Sequence, residues 1–144
     1  MVSAARIVET LGGHRVMKAR VRSVDRLQAR VRTGLPYSAL EALAERLNAP
    51  VGELSDTLGV PARTLARRRR AGRLTAAESD RLVRLGRIVA LAVEVLGDRA
   101  KAARWLRQPN RALGQLVPLH HLDTDLGARE VETVLLRIEH GVYS

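Results

Sequence analysis

Five arginines fall within eight positions of one short stretch, and this run constrains the fold more than any other feature of the chain. The stretch reads "LGVPARTLARRRRAGRLT", Leu58 to Thr75, with arginines at position 63 and at positions 67 to 70. Gly59 suits a left-handed turn, and Pro61 suits the first turn of a following helix. Two short helices joined by a tight glycine turn are the layout of a helix-turn-helix.

The arginine run predicts a DNA-reading helix. In a helix-turn-helix the second helix enters the major groove, where its first residues read base edges and later residues contact phosphates. Arg68 stands three residues after Leu65, where an apolar residue is expected. This departure predicts a recognition helix that ends near Arg67, followed by a basic connector that contacts the flanking backbone. The predicted DNA-contacting residues are Arg63, Thr64, Arg67, Arg68, Arg69 and Arg70.

The positive charge is concentrated in the first half of the chain. Residues 1–73 carry 15 Lys and Arg against six Asp and Glu, whereas residues 74–144 carry ten against nine. This asymmetry indicates a polyanionic partner for the first half and a different role for the second. A solvated or RNA-directed basic helix, and an acidic protein surface, remain alternatives to DNA.

The composition favours an all-α fold. Hydrophobic residues make up 46% of the chain, yet aromatic residues make up only 2% and Phe is absent, so Leu, Val and Ala must build the core. Helix caps are predicted at Ser23, at Thr75 with Glu78 as a capping box, and at Asp98. The pattern predicts a helix-turn-helix domain over residues 21–73 and a small helical domain over residues 74–144, with residues 1–20 unassigned.

Several function classes are disfavoured. The chain has no cysteine, which excludes disulfides and thiolate metal sites. No stretch is apolar enough for a signal peptide or a membrane span, so we expect a soluble cytoplasmic protein without a membrane partner. Phosphate-loop, nucleophile-elbow and zinc-protease motifs are absent, and adjacent His120 and His121 diverge on a helix. We therefore expect no catalysis, no cofactor and no bound metal.

Ordered landmarks run through the second half to its end: "GD...A..WL..PN.AL", "PL..L.T..G" and "V...L.RIEHGVY". With them, Glu78 to Ser144 resembles the toxin-binding domain of Xre/MbcA/ParS-type antitoxins. The preceding "LPYSALEALAERLNAPVGELSDTLGVPARTLARRR" resembles the Xre-like helix-turn-helix of the same antitoxins. The likeness covers Val21 to Ser144. One departure is Gln115, where the family often has a second glycine after Gly114.

The resemblance implies a type II antitoxin that represses its own operon, usually as a dimer. It implies a RES-domain toxin that consumes NAD, either by degrading it or by ADP-ribosylating a target, and a C-terminal domain that covers the toxin's active-site cleft. The C-terminal tail either enters that cleft or packs back on the last helix. A free-standing dimeric DNA-binding regulator is the alternative. The implied toxin-contacting residues are Asn110, Gly114, Glu139, Val142, Tyr143 and Ser144.

Overall fold

The computed structural model describes residues 2–141 of the chain. In this part of the chain the structure consists of α-helices and short 3₁₀ turns without β-strands, which confirms the predicted all-α class. Turns of 3₁₀ helix span Val51–Leu54, Arg111–Leu113 and Pro118–Asp123. The α-helices are α1 (Ala4–Thr10), α2 (Gly13–Met17), α3 (Val24–Thr33), α4 (Tyr37–Arg46), α5 (Ser55–Leu58), α6 (Ala62–Ala71), α7 (Ala76–Leu96), α8 (Arg99–Arg107) and α9 (Asp125–Glu139).

Side-chain caps begin the longer helices where the sequence predicts them. The Ser23 hydroxyl accepts a hydrogen bond from the Arg26 N–H at the start of α3, and an Asp98 carboxylate oxygen accepts one at the start of α8. Thr75 and Glu78 form the predicted capping box of α7. Each cap satisfies a backbone N–H that the helix itself leaves without a partner.

Helix α7 lies at the centre of the fold. It is 21 residues long and packs against α1, α3, α8 and α9. Its buried face includes Leu82, Leu85 and Ile88, each at most 1% exposed. Buried apolar side chains from α1 to α9 form one continuous core around it. No helix among residues 2–141 is long and apolar enough to cross a membrane.

The unassigned N-terminal residues also contribute to this core. They form α1 and α2, and α1 buries Ile7 and Val8 together with Leu11, which follows it, against α7. These three apolar residues recur at helical spacing. That spacing is the signal in the sequence that indicates α1.

Contacts between distant residues connect the helix-turn-helix to the C-terminal part. Helix α5 packs against the 3₁₀ turn Pro118–Asp123. The Arg107 guanidinium donates to the Asn48 carbonyl oxygen at 2.7 Å and to both carboxylate oxygens of Glu53, at 3.0 and 2.7 Å. The predicted domain boundary at residues 73 and 74 stays a prediction, because the two parts share one core.

Candidate functional site

Helices α5 and α6 form the predicted helix-turn-helix. Gly59 ends α5 in the left-handed region at φ 65°, and Val60 is buried in the turn between the helices. The Arg81 guanidinium of α7 donates to the Leu58 carbonyl oxygen at 3.0 Å, which satisfies the C-terminal end of α5. In α6 the buried residue is Leu65, so this one side chain anchors the helix to the core.

The recognition helix is longer than its sequence predicts. Helix α6 runs to Ala71, and Gly72 ends it at φ 77°. The predicted end near Arg67 is therefore wrong, and Arg68, Arg69 and Arg70 belong to the helix and not to a connector. The physical reason is that Arg68 needs no apolar pocket. Its Nε donates to the Glu78 Oε1 atom at 2.8 Å, so a polar partner replaces the expected apolar contact.

The Arg68–Glu78 ion pair ties α6 to the first turn of α7. The Glu78 side chain is only 8% exposed, and its Oε1 atom also accepts from the Thr75 N–H at 2.9 Å. Burial alone would raise the pKa of Glu78, but the hydrogen bonds from Arg68 and Thr75 and the arginine charge outweigh burial and hold it below its ordinary value. The same hydrogen bond raises the pKa of Arg68. Both groups are therefore charged at neutral pH.

Three arginines of α6 share its solvent face. Arg63, Arg67 and Arg70 lie within about 60° of one another on the side opposite Leu65, and all three are exposed. This set, the arginine stripe, combines two of the predicted base readers with Arg70, which the sequence places among the phosphate contacts. Thr64 is half-buried, and its hydroxyl accepts a long hydrogen bond of 3.4 Å from Arg67.

Arg69 points to another side of α6. It lines an open pocket of about 600 Å³ together with Tyr37 and Val51. Burial, followed by the charge of Glu41, raises the pKa of the Tyr37 hydroxyl, while the charge of Arg69 acts in the opposite direction. The four consecutive arginines are thus separated into three directions, which the sequence run alone does not show.

The segment after α6 is held by backbone hydrogen bonds. The Tyr37 N–H donates to the Gly72 carbonyl oxygen at 2.9 Å, and the Leu74 N–H donates to the Leu35 carbonyl oxygen at 2.9 Å. The Leu35 N–H in turn donates to the fully buried Ser79 hydroxyl at 2.8 Å. These contacts fix the C-terminal end of α6 between the α3–α4 connection and α7. The exit direction of the recognition helix is therefore set by tertiary contacts.

The loop between α8 and the 3₁₀ turn Pro118–Asp123 contains two of the implied toxin contacts. The Asn110 side-chain oxygen accepts from the Ala112 N–H at 2.9 Å, and the Asn110 N–H donates to the Leu116 carbonyl oxygen at 2.9 Å. Asn110 therefore shapes the loop, whereas Gly114 is exposed at its tip. Leu116 is 53% exposed beside it, an apolar surface residue that the sequence analysis does not single out.

The departure at Gln115 has a structural meaning. The Leu116 N–H donates to the Leu113 carbonyl oxygen at 3.2 Å, which closes a four-residue turn. Both central residues of the turn have positive φ, 63° at Gly114 and 69° at Gln115. A turn of this kind favours glycine at both positions. A non-glycine residue here carries local backbone strain.

The start of α9 explains another landmark. The Thr124 hydroxyl accepts from the Gly127 N–H at 3.0 Å and caps the helix. A Cβ atom on Gly127 would overlap the carbonyl oxygen of His121. Within "PL..L.T..G", Thr124 therefore serves the cap and Gly127 serves a close backbone approach.

The C-terminal end of α9 contains the remaining candidate in the described residues. Glu139 is exposed there, next to Arg137, which is also exposed. Val142, Tyr143 and Ser144 lie outside the described residues. Trp105 packs against the core but stays partly exposed.

The two adjacent histidines have different surroundings. His120 is exposed, whereas the His121 Nε2 atom lies 3.0 Å from the Glu130 Oε2 atom. Between residues 2 and 141, no group of three or more acidic, histidine or cysteine side chains has the arrangement of a metal site.

Comparisons with known proteins identify two domains in the chain. Residues 26–87 match the antitoxin Xre-like helix-turn-helix domain, and residues 91–141 match the antitoxin Xre/MbcA/ParS C-terminal toxin-binding domain. The chain is 35% identical over 116 residues to a protein named antitoxin Xre from Yersinia enterocolitica. The aligned region makes up 79% of this chain and 78% of that protein.

Two further proteins named antitoxin Xre are similar to this chain. One, from Photorhabdus laumondii, is 36% identical over 120 residues, which is 82% of this chain and 81% of that protein. The other, from Pseudomonas putida, is 43% identical over 83 residues, which is 57% of this chain and 52% of that protein. The two domain matches meet within α7, between residues 87 and 91.

Proposed function

The chain belongs to the Xre antitoxins of toxin–antitoxin systems, and from this membership we propose that it blocks the active site of a RES-domain toxin that consumes NAD and represses its own operon. Members of this family bind toxins and DNA and are not enzymes. The single observation that carries the proposal is the coexistence of an exposed arginine stripe on α6 and a separate region that matches the toxin-binding domain.

Operator binding is assigned to the arginine stripe. Arg63 and Arg67 lie in the first two turns of α6, where a recognition helix meets base edges. Arg70 extends the same face by one turn toward the flanking phosphates. Arg68 also acts as a positioning residue, because its Nε atom donates to Glu78. Its side chain is 24% exposed and stays among the proposed DNA contacts. Thr64 and Arg69 border the stripe on either side.

Toxin binding is assigned to the surface that the C-terminal landmarks leave free. Gly127 serves the fold, whereas Asn110 shapes the loop and stays among the proposed toxin contacts. Gly114 and Leu116 are exposed on the loop and are proposed as toxin contacts. Glu139 is exposed at the end of α9 and is proposed as a contact together with Val142, Tyr143 and Ser144, which follow it in the chain.

Homodimer formation is part of the proposal. An apolar groove of about 770 Å³ lies between α1, α3 and α7, and Val24 at its edge is 62% exposed. Arg32 and Asp80 also line the groove, and neither has an ion-pair partner within residues 2–141. Opposite charges on one surface allow Arg32 of one copy to meet Asp80 of a second across a two-fold axis. Val24→Asp is expected to shift a sedimentation profile from dimer to monomer.

Co-expression with the product of the neighbouring gene tests the antitoxin role. We expect that this product arrests growth and lowers the cellular NAD level, and that this chain relieves both effects and co-purifies with it. Deletion of Val142 to Ser144 abolishes the relief if the tail enters the toxin's cleft, and Leu116→Asp weakens it if the loop is a contact. A neighbouring product without toxicity and without a complex would instead leave a free-standing DNA-binding regulator.

A further inference from the structure

Three cations outside α6 lie on one side of α3 and on the segment that follows α6. They are Arg26 and Arg30, on α3, and Arg73, two residues beyond the end of α6. Arg26 and Arg73 are exposed, and Arg30 is half-buried. We call these three residues the junction patch, because Arg73 joins the C-terminal ends of α3 and α6 and the other two lie along α3.

Arg73 joins the two helix ends directly. Its guanidinium Nη1 atom lies 3.5 Å from the Thr33 carbonyl oxygen, at the last residue of α3. Its aliphatic stem crosses Gly34 so closely that a Cβ there would lie 3.0 Å from Arg73 Cγ. Since Arg70 is only three residues earlier in the chain, positive charge continues from the arginine stripe to the end of α3.

The basic side of α3 is separate from its apolar side. Arg26 and Arg30 are four residues apart and lie within about 40° of each other on the helix. Val24 and Val31, which line the apolar groove, lie on the other side of Leu27. Like charges at this spacing cost an isolated helix a few tenths of a kcal/mol. An anion bound along this side of α3 would offset that repulsion.

The charges of the junction patch are not neutralised within the protein. In the described part of the chain, no carboxylate oxygen lies within 4.0 Å of the guanidinium of Arg26, Arg30 or Arg73. Several arginines of the C-terminal part do have such partners. Examples are Arg84, Arg87, Arg107 and Arg129.

The sequence around α3 has the same bias. Residues 15–32 contain seven Lys and Arg and one acidic residue, Asp25. Solubility does not require such segregation, because interspersed charges of both signs serve it equally well. A folded surface of one sign next to a DNA-reading helix is the electrostatic footprint of a second nucleic-acid contact.

We propose that the junction patch binds the phosphate backbone of the DNA duplex that flanks the α6 contact, independently of base sequence. The proposal rests on the DNA binding proposed for the arginine stripe. A ten-residue helix is about 15 Å long, so a duplex in contact with α6 extends beyond both of its ends. On the C-terminal side, the backbone passes the end of α3 beside Arg73, and Arg30 and Arg26 lie about one and two turns back along α3.

The test compares two charge-matched triple variants in the full-length chain. The first is Arg26→Gln, Arg30→Gln and Arg73→Gln. The control is Lys101→Gln, Arg104→Gln and Arg111→Gln, which removes the same charge from exposed positions of the C-terminal part. Affinity is measured by fluorescence anisotropy from about 50 to 200 mM salt. The probes are a duplex from upstream of the chain's own coding sequence and a scrambled duplex of equal length.

The junction variant should lose about tenfold in affinity for both duplexes, and its log–log salt slope should fall by about 2 to 3, close to 0.9 per lost phosphate contact. The control should keep the wild-type slope. Equal losses in both variants would overturn the proposal, because they would show a general effect of net charge. Unchanged binding by the junction variant would also overturn it.

The two proposals fail in distinguishable ways. If Arg63→Ala with Arg67→Ala weakens binding and the junction variant does not, the DNA-binding function stands and the junction patch has no part in it. If the upstream duplex is not preferred over the scrambled one, operator recognition fails, while the loss on the scrambled duplex still tests the patch. A junction variant that binds DNA normally but fails to neutralise the toxin would assign the patch to the toxin. The single Arg26→Gln, at an exposed position, repeats the test if the triple variant does not fold.

Discussion

The recognition helix and the loop–α9 region use their characteristic residues in opposite ways. In α6 the characteristic residues are arginines, and all but Arg68 lack an intramolecular ion pair in the described chain. In the loop–α9 region the characteristic residues are largely committed to the fold, as with Asn110, Thr124 and Gly127. The residues of a binding motif can therefore be the proposed contacts themselves, as in α6. In another region they can mainly hold in place the backbone that carries the contacts, as in the loop–α9 region.

The largest effect should come from the arginine stripe. Arg63→Ala with Arg67→Ala should weaken operator binding by about 3 kcal/mol, roughly 150-fold, because an arginine that reads a base contributes about 1–3 kcal/mol. Fluorescence anisotropy at fixed salt measures the change, with Lys101→Ala and Arg104→Ala as the control of equal charge. Toxin neutralisation should be unaffected. An equal loss in the control would break the contrast between the two regions.

The scaffold role of the C-terminal landmarks is tested at Gly127. Gly127→Ala should lower the free energy of unfolding by about 2–3 kcal/mol, because the added Cβ overlaps the His121 carbonyl and forces the backbones apart. Urea denaturation measures the loss, and co-purification with the toxin should weaken in parallel. Gly52→Ala is the matched control, since a Cβ there meets no atom within 4 Å. Equal stability of the two variants would show that the close approach is unimportant.

A smaller effect on stability is expected at the ion pair between Arg68 of α6 and Glu78 of α7. Glu78→Gln should lower Tm by roughly 3 °C at neutral pH, because the hydrogen bonds from Arg68 and Thr75 lose the carboxylate charge that strengthens them. The pKa of Glu78 is lower in the folded protein than its unfolded value of about 4.3. The charge of Glu78 therefore stabilises the fold above that value, and this stabilisation is lost as the pH falls through the folded pKa.

Tm measured from pH 7 down to pH 3 checks this sign. The difference between wild type and Glu78→Gln should shrink toward acid pH. Glu94→Gln removes an exposed carboxylate elsewhere on α7 and should change Tm little. A difference that grew toward acid pH would contradict the assigned role of the Arg68–Glu78 pair.

The smallest effect on stability is expected at Gln115, in the loop that follows α8. Gln115→Gly should raise the free energy of unfolding by about 0.5 kcal/mol, because relief of the positive φ of 69° outweighs the added freedom of the unfolded chain. Gln28→Gly in α3 should instead lower it by about 1 kcal/mol, as glycine does inside a helix. Thermal and urea unfolding measure both changes. If both substitutions changed the free energy of unfolding in the same direction, the backbone at position 115 would not be strained.

Much of the fold could be predicted because its signals are local. Ser23, Thr75 and Asp98 start helices at the predicted residues, since a cap depends on a side chain and an N–H only three residues away. The glycine turn before α6 follows from Gly59 for the same reason. The helix-turn-helix assignment therefore required no knowledge of distant contacts.

The candidate site was predicted less completely. Among the described residues, the exposed positions of Arg63, Arg67, Gly114 and Glu139 agree with the predicted surfaces, although their contacts stay predictions. Sequence reasoning missed Arg70 as a member of the stripe and Leu116 as an exposed apolar residue. Arg70 was missed because the predicted helix end near Arg67 made it part of a connector. Leu116 was missed because it lies in a loop, where no helical periodicity shows whether a leucine is buried or exposed.

By itself, the sequence determined the helical class, the starts of the helices and the presence of an arginine-rich second helix, because periodicity and caps act within a few residues. Only the tertiary structure decided where each arginine points. Arg68 meets Glu78 and the C-terminal end of α6 meets Leu35 and Tyr37 because the chain folds back on itself. Such partners depend on the relative placement of whole helices, and packing the shared core around α7 sets that placement.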